Sequence, residues 1–345
     1  MAAGMKDVAL RAGVSLGTVS NVLNKPELVK PATRARVEQA IAELGFVRNE
    51  SARHLRGGQS RFLAYLMLDH SNPFFTDIAT GIEQVARAHN LGLFLCTSDN
   101  DRDREQEYLA MLLEQRTRGV LITALDYTNE LLQTLPRLGV PLVFVDRRPD
   151  SEKHWCSVGV DDIEGGDLAV SHLLDQGHER IGFVGGPQSI AQVADRLTGA
   201  RRAVAAGARD ADNLSVIETV ALTVEEGRRA GARVLGIPAR RRPTAVFCAN
   251  DLLAVGVLQE VISQGVNVPD ELAIVGYDDI EFASAAAIPL TSVRQPRDKL
   301  GITATELLLE EAAGGKHEHT QIQFVPELVV RSSSRRARQG RRRAG

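Results

Sequence analysis

In the stretch VALRAGVSLGTVSNVLN, Val8 to Asn24, two short runs of apolar residues at helical spacing surround a single glycine. Met5, Val8, Ala9 and Ala12 recur as one face of a helix, and Gly13 then stops the run in the manner of a left-handed capping residue. Ser15 is a natural N-cap for a second helix that sets Thr18, Val19, Val22 and Leu23 on successive turns. A third helix opens at Pro31, presents Val37, Ile41 and Leu44, and closes at Gly45. The next fifteen residues, FVRNESARHLRGGQS, read as a linker with one helical turn around Ser51 to Arg56. Alone, so short a helix is mostly melted, because nucleation is costly and few residues offset it.

From Phe62 the period changes. The apolar runs FLAYLML, LGLFLC, GVLIT, VPLVFV, IGFVGG, TAVFCA and ELAIVGY are short and bounded by glycine, proline or acidic loops. Between them lie amphipathic stretches, among them Thr76 to His89, Glu105 to Arg116, Ile163 to Gln176 and Leu252 to Gln264. Such alternation predicts parallel sheets with helices on both faces. About 270 residues of it exceed one small doubly wound domain, so two lobes are expected.

Composition adds boundaries to this picture. With 345 residues, 43% hydrophobic and 25% charged, the chain has enough apolar material for two or three packed units. The start, MAAGMKDVAL, lacks an apolar core of signal-peptide length and no window suits a membrane span, so a cytoplasmic protein is expected. Cys96, Cys156 and Cys248 are far apart and embedded in apolar runs, which reads as three buried small hydrophobes, neither a disulfide framework nor zinc-ligand spacing. No cofactor or metal is expected. The doublet His317 and His319 sits in the polar loop GGKHEHT, where a solvated loop is the plainer reading and a metal site the alternative. The net charge of −3 conceals an asymmetry: residues 1–60 carry +4, residues 61–330 carry −14, and the segment from Arg331 holds seven arginines and no acid. A basic head on an acidic body fits a polyanion-binding module joined to a domain with another task.

Two short helices joined by a tight glycine turn and braced by a third form a helix-turn-helix, whose second helix enters the major groove with its N-terminal residues first. That directs Leu16, Gly17, Thr18 and Asn21 toward bases, while Ser15, Thr18 and Ser20 suit phosphates. Lys6 and Asn24 complete the DNA-facing set. The bland alternative is an ordinary three-helix cap.

The order DVALRAGVSLGTVSNVLN, TRARVEQAIAELGFVRN, SARHL resembles the head of the lactose-repressor (LacI/GalR) family of bacterial transcription regulators. The resemblance continues through HSNPFFTDIATGIE, VDRR, VGVDDIEGGDLAVSHLLDQGHERIGFVGGP, DRLTGARRAV, FCANDLLAVGVL, VPDELAIVGYDDIEFASAAAIPLTSVRQP and FVPELVVRSS. It covers nearly everything from Met5 to Ser334. It implies an N-terminal all-α helix-turn-helix domain, residues 1–48, then a hinge helix and linker, 49–60. An α/β two-lobed periplasmic-binding-protein-like domain, 61–331, would hold a small effector and the dimer contacts; beyond it 332–345, which has no apolar periodicity, reads as a basic disordered tail. The implied partners are double-stranded operator DNA, a small effector and a second copy of the chain. The implied activity is repression of transcription controlled by that effector. In the family the hinge orders only on DNA, which puts Asn49, Ala52 and Leu55 at the minor groove, with Leu55 in the wedging position and Ala52 against the partner copy. An inserted apolar wedge costs a few kcal/mol of unstacking, offset by bending and contact. Several positions depart from common members: Gly17 offers no side chain for base reading, Leu16 only apolar contact, Asn21 stands where many relatives carry arginine, Lys30 replaces the usual capping serine and Gly4 a frequent threonine.

The resemblance further implies an effector pocket of Phe74, Phe75, Asp146, Arg147, Arg196, Asn250 and Asp278. Carboxylates and guanidinium groups pair with vicinal hydroxyls and an aromatic face covers a sugar ring, so a sugar-like molecule is expected, with purines, also effectors in the family, as the alternative. Each residue has a plainer reading: Asp146 and Arg147 as a surface pair, Asp278 capping a turn with Asp279, Arg196 bridging the lobes. An enzyme is not expected. No nucleophile elbow, phosphate loop or zinc-protease motif is present, and His172, Asp175 and His178 fall on an amphipathic helix and its end, where solvated positions are the default. A sugar-transport binding protein would share the body without the head.

Overall fold

The computed structural model describes residues 3–47, 60–147, 155–207, 213–315 and 317–335. Its two compact units divide between Ser60 and Arg61. The expected hinge residues Asn49, Ala52 and Leu55 lie outside the described residues.

The first unit consists of α1 (Met5–Ala12), α2 (Leu16–Asn24) and α3 (Pro31–Leu44). Gly13 adopts φ 65° and ends α1 with its N–H on the carbonyls of Ala9 and Leu10, a left-handed conformation that glycine adopts without steric cost. The Ser15 side chain accepts from the Thr18 N–H at 3.1 Å, capping α2. Gly4 and Lys30 provide no side-chain cap. Asp7 partly compensates at the first by accepting the Gly4 N–H, and Pro31 at the first position of α3 removes a donor that would otherwise be orphaned. Val8, Val19 and Val37 are fully buried between the helices, with Ala9, Ala12, Val22 and Ala40 around them. Each buried valine stabilises this small core by roughly 1.5–3 kcal/mol.

The second unit contains two six-stranded sheets. In the first lobe β1 (Phe62–Met67), β2 (Gly92–Thr97), β3 (Gly119–Ile122), β4 (Leu142–Val145), β5 (Cys156–Val160) and β11 (Gln321–Phe324) lie in the order β11-β5-β4-β3-β1-β2, all parallel. The second lobe orders β12 (Glu327–Val329), β10 (Thr291–Arg294), β9 (Ala273–Asp278), β8 (Ala245–Cys248), β6 (Ile181–Val184) and β7 (Leu214–Ile217), with only β12 antiparallel. The helices are α4 (Pro73–Ala88), α5 (Arg102–Glu114), α6 (Glu130–Arg137), α7 (Asp162–Asp175), α8 (Ala191–Ala206), α9 (Val224–Gly236), α10 (Asp251–Ser263), α11 (Glu281–Ala285) and α12 (Arg297–Ala312). The chain passes between the lobes three times: after β5, after β10 into α12, and after β11. Each lobe therefore depends on segments distant in sequence, and all three crossings leave from the carboxyl ends of strands. Buried side chains fill both faces of the sheets, as parallel strands demand.

Three expectations need correction. Cys96 is only partly buried, because it lies on β2, an edge strand, whereas Cys156 and Cys248 are buried as expected. The segment after 331 is not disordered from its start: Ser333 and Ser334 are fully buried, with Ser333 Oγ donating to the Ile274 carbonyl and accepting the Thr291 N–H. These polar bonds anchor a stretch that has no apolar periodicity to announce it. His178 is buried rather than solvated, its Nδ1 3.0 Å from the Thr244 hydroxyl, and the half-buried His172 meets the Ser334 hydroxyl at 2.8 Å. Among the described residues, no helix is long and apolar enough to cross a membrane.

Candidate functional sites: an exposed recognition helix and a charged cleft

On the first unit, α2 divides its residues cleanly. Val19 and Val22 face the core, while Ser15, Leu16, Gly17, Asn21 and Asn24 are exposed and Thr18 and Ser20 are half-buried. Leu16, at the first turn, is 45% exposed and keeps much of an apolar side chain at the surface. The Ser15 and Thr18 hydroxyls lie 3.0 Å apart. Asn24 turns back on its own helix, donating to the Ser20 carbonyl at 2.9 Å, so its amide is engaged within α2. Lys6 is exposed on α1.

On the second unit, a cleft of about 440 Å³ opens between the lobes, at the carboxyl ends of the strands where open α/β folds hold ligands. Phe74, Phe75, Asp146, Arg196, Asn250 and Asp278 all line it. Phe74 and Phe75 pack edge to face with ring centroids 5.1 Å apart at the start of α4. The Asn72 side chain caps that helix and also lines the cleft. Asn250 caps α10 by accepting the Leu253 N–H, and its amide donates to the Leu222 carbonyl. Arg147 does not join the lining. One residue beyond Asp146, it places its guanidinium over the Tyr127 ring, 5.1 Å from the centroid.

Arg196 is the organising charge. It is buried, with Nε donating to Asp162 at 2.8 Å and Nη1 to the Ala249 carbonyl at 2.7 Å. Its guanidinium covers the Tyr277 ring at 3.7 Å, and Asp278 lies 3.9 Å from Nη2. These partners all belong to the second lobe, so this arginine does not bridge the lobes. Gln192 does, one helical turn earlier, by donating to both the carbonyl and the carboxylate of Asp146 in the first lobe at 3.2 and 3.1 Å. Gln192 was missed in the sequence, although its i,i+4 spacing from Arg196 would place the two on one face of α8. Asp162, Tyr277 and Gln295, which donates to Asp278 at 2.8 Å, were likewise missed. Asp279 takes no part in a local cap, being paired instead with Arg294 and Arg331.

One cleft acceptor, Asp146 Oδ1, is buried and has no hydrogen-bond partner among the described residues. Asp146 and Asp278 also hold positive φ, 64° and 102°, conformations that cost on the order of 1–3 kcal/mol each and persist where surrounding structure enforces them. Burial pushes the Asp146 carboxyl well above its ordinary value, reinforced by the charge of Asp162 and opposed by Arg196. Burial likewise raises Asp278 to about 6, more than the attraction of Arg196 can offset, since that guanidinium is already committed to Asp162. For Arg196, burial disfavours the charge, but the surrounding carboxylates override it and hold the cation. The cleft thus sets two buried carboxyl groups at positive φ, Asp146 with one oxygen unpartnered, near one fixed cation, the kind of perturbed, convergent polar grouping found where small ligands bind.

Comparisons with known proteins bear on both units. Residues 4–49 match bacterial regulatory proteins of the lacI family, and residues 170–334 match the periplasmic binding protein-like domain. The HTH-type transcriptional repressor PurR of Aliivibrio fischeri (strain MJ11) is 34% identical over 332 residues, spanning 96% of this chain and 98% of that protein. A complex of the transcriptional regulator CelR with cellobiose shares 31% identity and superposes with a TM-score of 0.70, covering 96% of this chain and 99% of that one. The lac repressor dimer bound to operator and the anti-inducer ONPF shares 26% identity at a TM-score of 0.82, covering 97% and 99%.

Proposed function

The chain belongs to the lacI family of bacterial regulatory proteins and is a DNA-binding transcriptional repressor, not an enzyme; we propose that a sugar-like effector held in the cleft sets how tightly α2 reads its operator. The observation that carries this reading is the buried, unpartnered Oδ1 of Asp146, which lines the cleft with Arg196 and Asp278. A polyhydroxylated molecule supplies donors to the carboxylates and acceptors to the guanidinium at once. Relatives solved with cellobiose and with ribose support the same chemical class. Gln192 and Asp146 meet across the cleft, so a ligand inserted there competes with or reinforces a lobe-to-lobe bond, and its differential affinity for two lobe arrangements would be the source of control.

For DNA, the proposed set is Lys6, Ser15, Leu16, Gly17, Thr18, Ser20, Asn21 and Asn24, with the expected hinge contacts Asn49, Ala52 and Leu55 still resting on the family resemblance. Leu16 would read a thymine methyl and Asn21 a base edge or phosphate. Family members work as dimers, and the edge strand β2 exposes Phe94 and Leu95 where a second copy would sit.

The test is selection of bound DNA from a random pool by the full chain, followed by titration of the complex with cellobiose, ribose and purine bases. Release or tightening by a sugar is the expected result. A response to purine bases alone would move the effector to the nucleobase class, and the absence of any enriched sequence would overturn the DNA assignment.

A further inference from the structure

Far from the cleft, at the amino end of β5, the fold assembles four groups that the sequence keeps apart. Cys156 Sγ lies 3.0 Å from His317 Nε2 and 3.8 Å from His319 Nδ1. Glu311, in the last turn of α12, places Oε2 4.0 Å from His317 Nε2, and that oxygen is buried without a hydrogen-bond partner. The four ligand atoms all fall within 4.8 Å of one another. Cys156 is 161 residues from His317, which is why no short ligand motif appears in the sequence. The two histidines alternate on a non-helical stretch leading into β11, a period that turns both rings to the same side. The pairing of β11 with β5 fixes them opposite the thiol: Gln321 registers with Ser157, and the Thr320 N–H points to Cys156 Sγ at 3.4 Å.

We propose that Cys156, Glu311, His317 and His319 form a binding site for one divalent zinc-class cation. One sulfur, two imidazole nitrogens and one carboxylate oxygen make a four-ligand set suited to tetrahedral zinc. Zinc bonds of ~2.0–2.3 Å imply ligand-to-ligand edges of about 3.3–3.8 Å, and the measured separations of 3.0, 3.8 and 4.0 Å bracket that span. With all four positions taken by protein, the ion would be structural. It would staple the end of α12 and the start of β11 to β5, and binding energy would appear as stability of the first lobe.

The experiment uses the full chain, stripped with EDTA, dialysed and titrated with Co²⁺. The expected result is one cobalt per chain with a thiolate-to-cobalt charge-transfer band, displaced by Zn²⁺, together with a Zn²⁺-dependent rise in melting temperature. Cys156→Ser should abolish the band, and His319→Ala, at an exposed position, should weaken zinc binding by about 10-fold or more. Absence of the band in the unaltered chain, or its persistence in Cys156→Ser, would overturn the proposal and leave a hydrogen-bonded thiol–imidazole cluster.

Discussion

Asp146 and Asp278 carry the chemistry that distinguishes this cleft from a solvated groove. Asp146 offers one oxygen to Gln192 and leaves the other for a ligand. Asn fits the same volume and tolerates the positive φ, so Asp146→Asn should keep the fold and the operator affinity while weakening the response to effector by at least about 10-fold, the scale of one charge-assisted hydrogen bond. Titration of the operator complex with effector checks this, and an unchanged dose response would remove Asp146 from the site. Asp278 makes a different prediction. Its carboxyl sits at about 6 in the folded chain against an ordinary value of 3.8. Between those limits the unfolded chain has released a proton that the folded chain retains, so this group's stabilising contribution is present below about pH 4 and lost as pH rises through about 6. The effect is at most about 3 kcal/mol. Asp278→Asn should therefore flatten the fall in unfolding free energy across that window, read by urea denaturation at a series of pH values, with Asp146 and Asp251 supplying a residual slope of the same sign. An unaltered slope would contradict the burial of its charge. Six of the seven residues proposed from the sequence for this pocket do line it. Arg147 failed because adjacent residues leaving a strand diverge: Asp146, at positive φ, enters the cleft, and its neighbour turns to Tyr127.

Helices α7 and α8 approach closely enough that a Cβ on Gly166 would lie 2.1 Å from the Arg196 carbonyl oxygen. That contact is what brings Asp162, at the start of α7, within 2.8 Å of the Arg196 guanidinium on α8. Gly166→Ala should force the pair apart, costing about 1–3 kcal/mol by overpacking and blunting the effector response while leaving the first unit's contact with DNA intact. A denaturation midpoint indistinguishable from the parent would show that the helices yield without strain. Elements with strong periodicity were legible in the sequence: the three head helices, and seven strands written as continuous apolar runs. The strands that escaped, β5, β7, β10, β11 and β12, are short, and several lie at or beside sheet edges, where half-exposed positions blur the pattern. β5, CSVGV, is fully buried, but its small residues follow a polar stretch and give too brief a signal. Long-range pairings, such as Gln192 with Asp146 or Cys156 with His317, have no trace in local periodicity at all.

At the scale of the whole molecule, the charge is divided between a head at +4 and an acidic body. Binding to operator should weaken steeply with salt, because each phosphate neutralised releases counterions, whereas binding of a neutral sugar in the cleft should be nearly indifferent to it. In the proposed function the link between the two events would run through the state of the lobes, which an effector can bias only by the difference in its affinity for their arrangements. The measurement that bears on this most directly is the operator affinity of the full chain at fixed salt, with and without saturating effector, compared between the unaltered protein and Asp146→Asn. The expected result is equal affinity for the two proteins in the absence of effector, and an effector-induced change of about 10-fold or more in the unaltered protein alone. An equal shift in both proteins, or no shift in either with effector demonstrably bound, would contradict control of the DNA-reading head from this cleft.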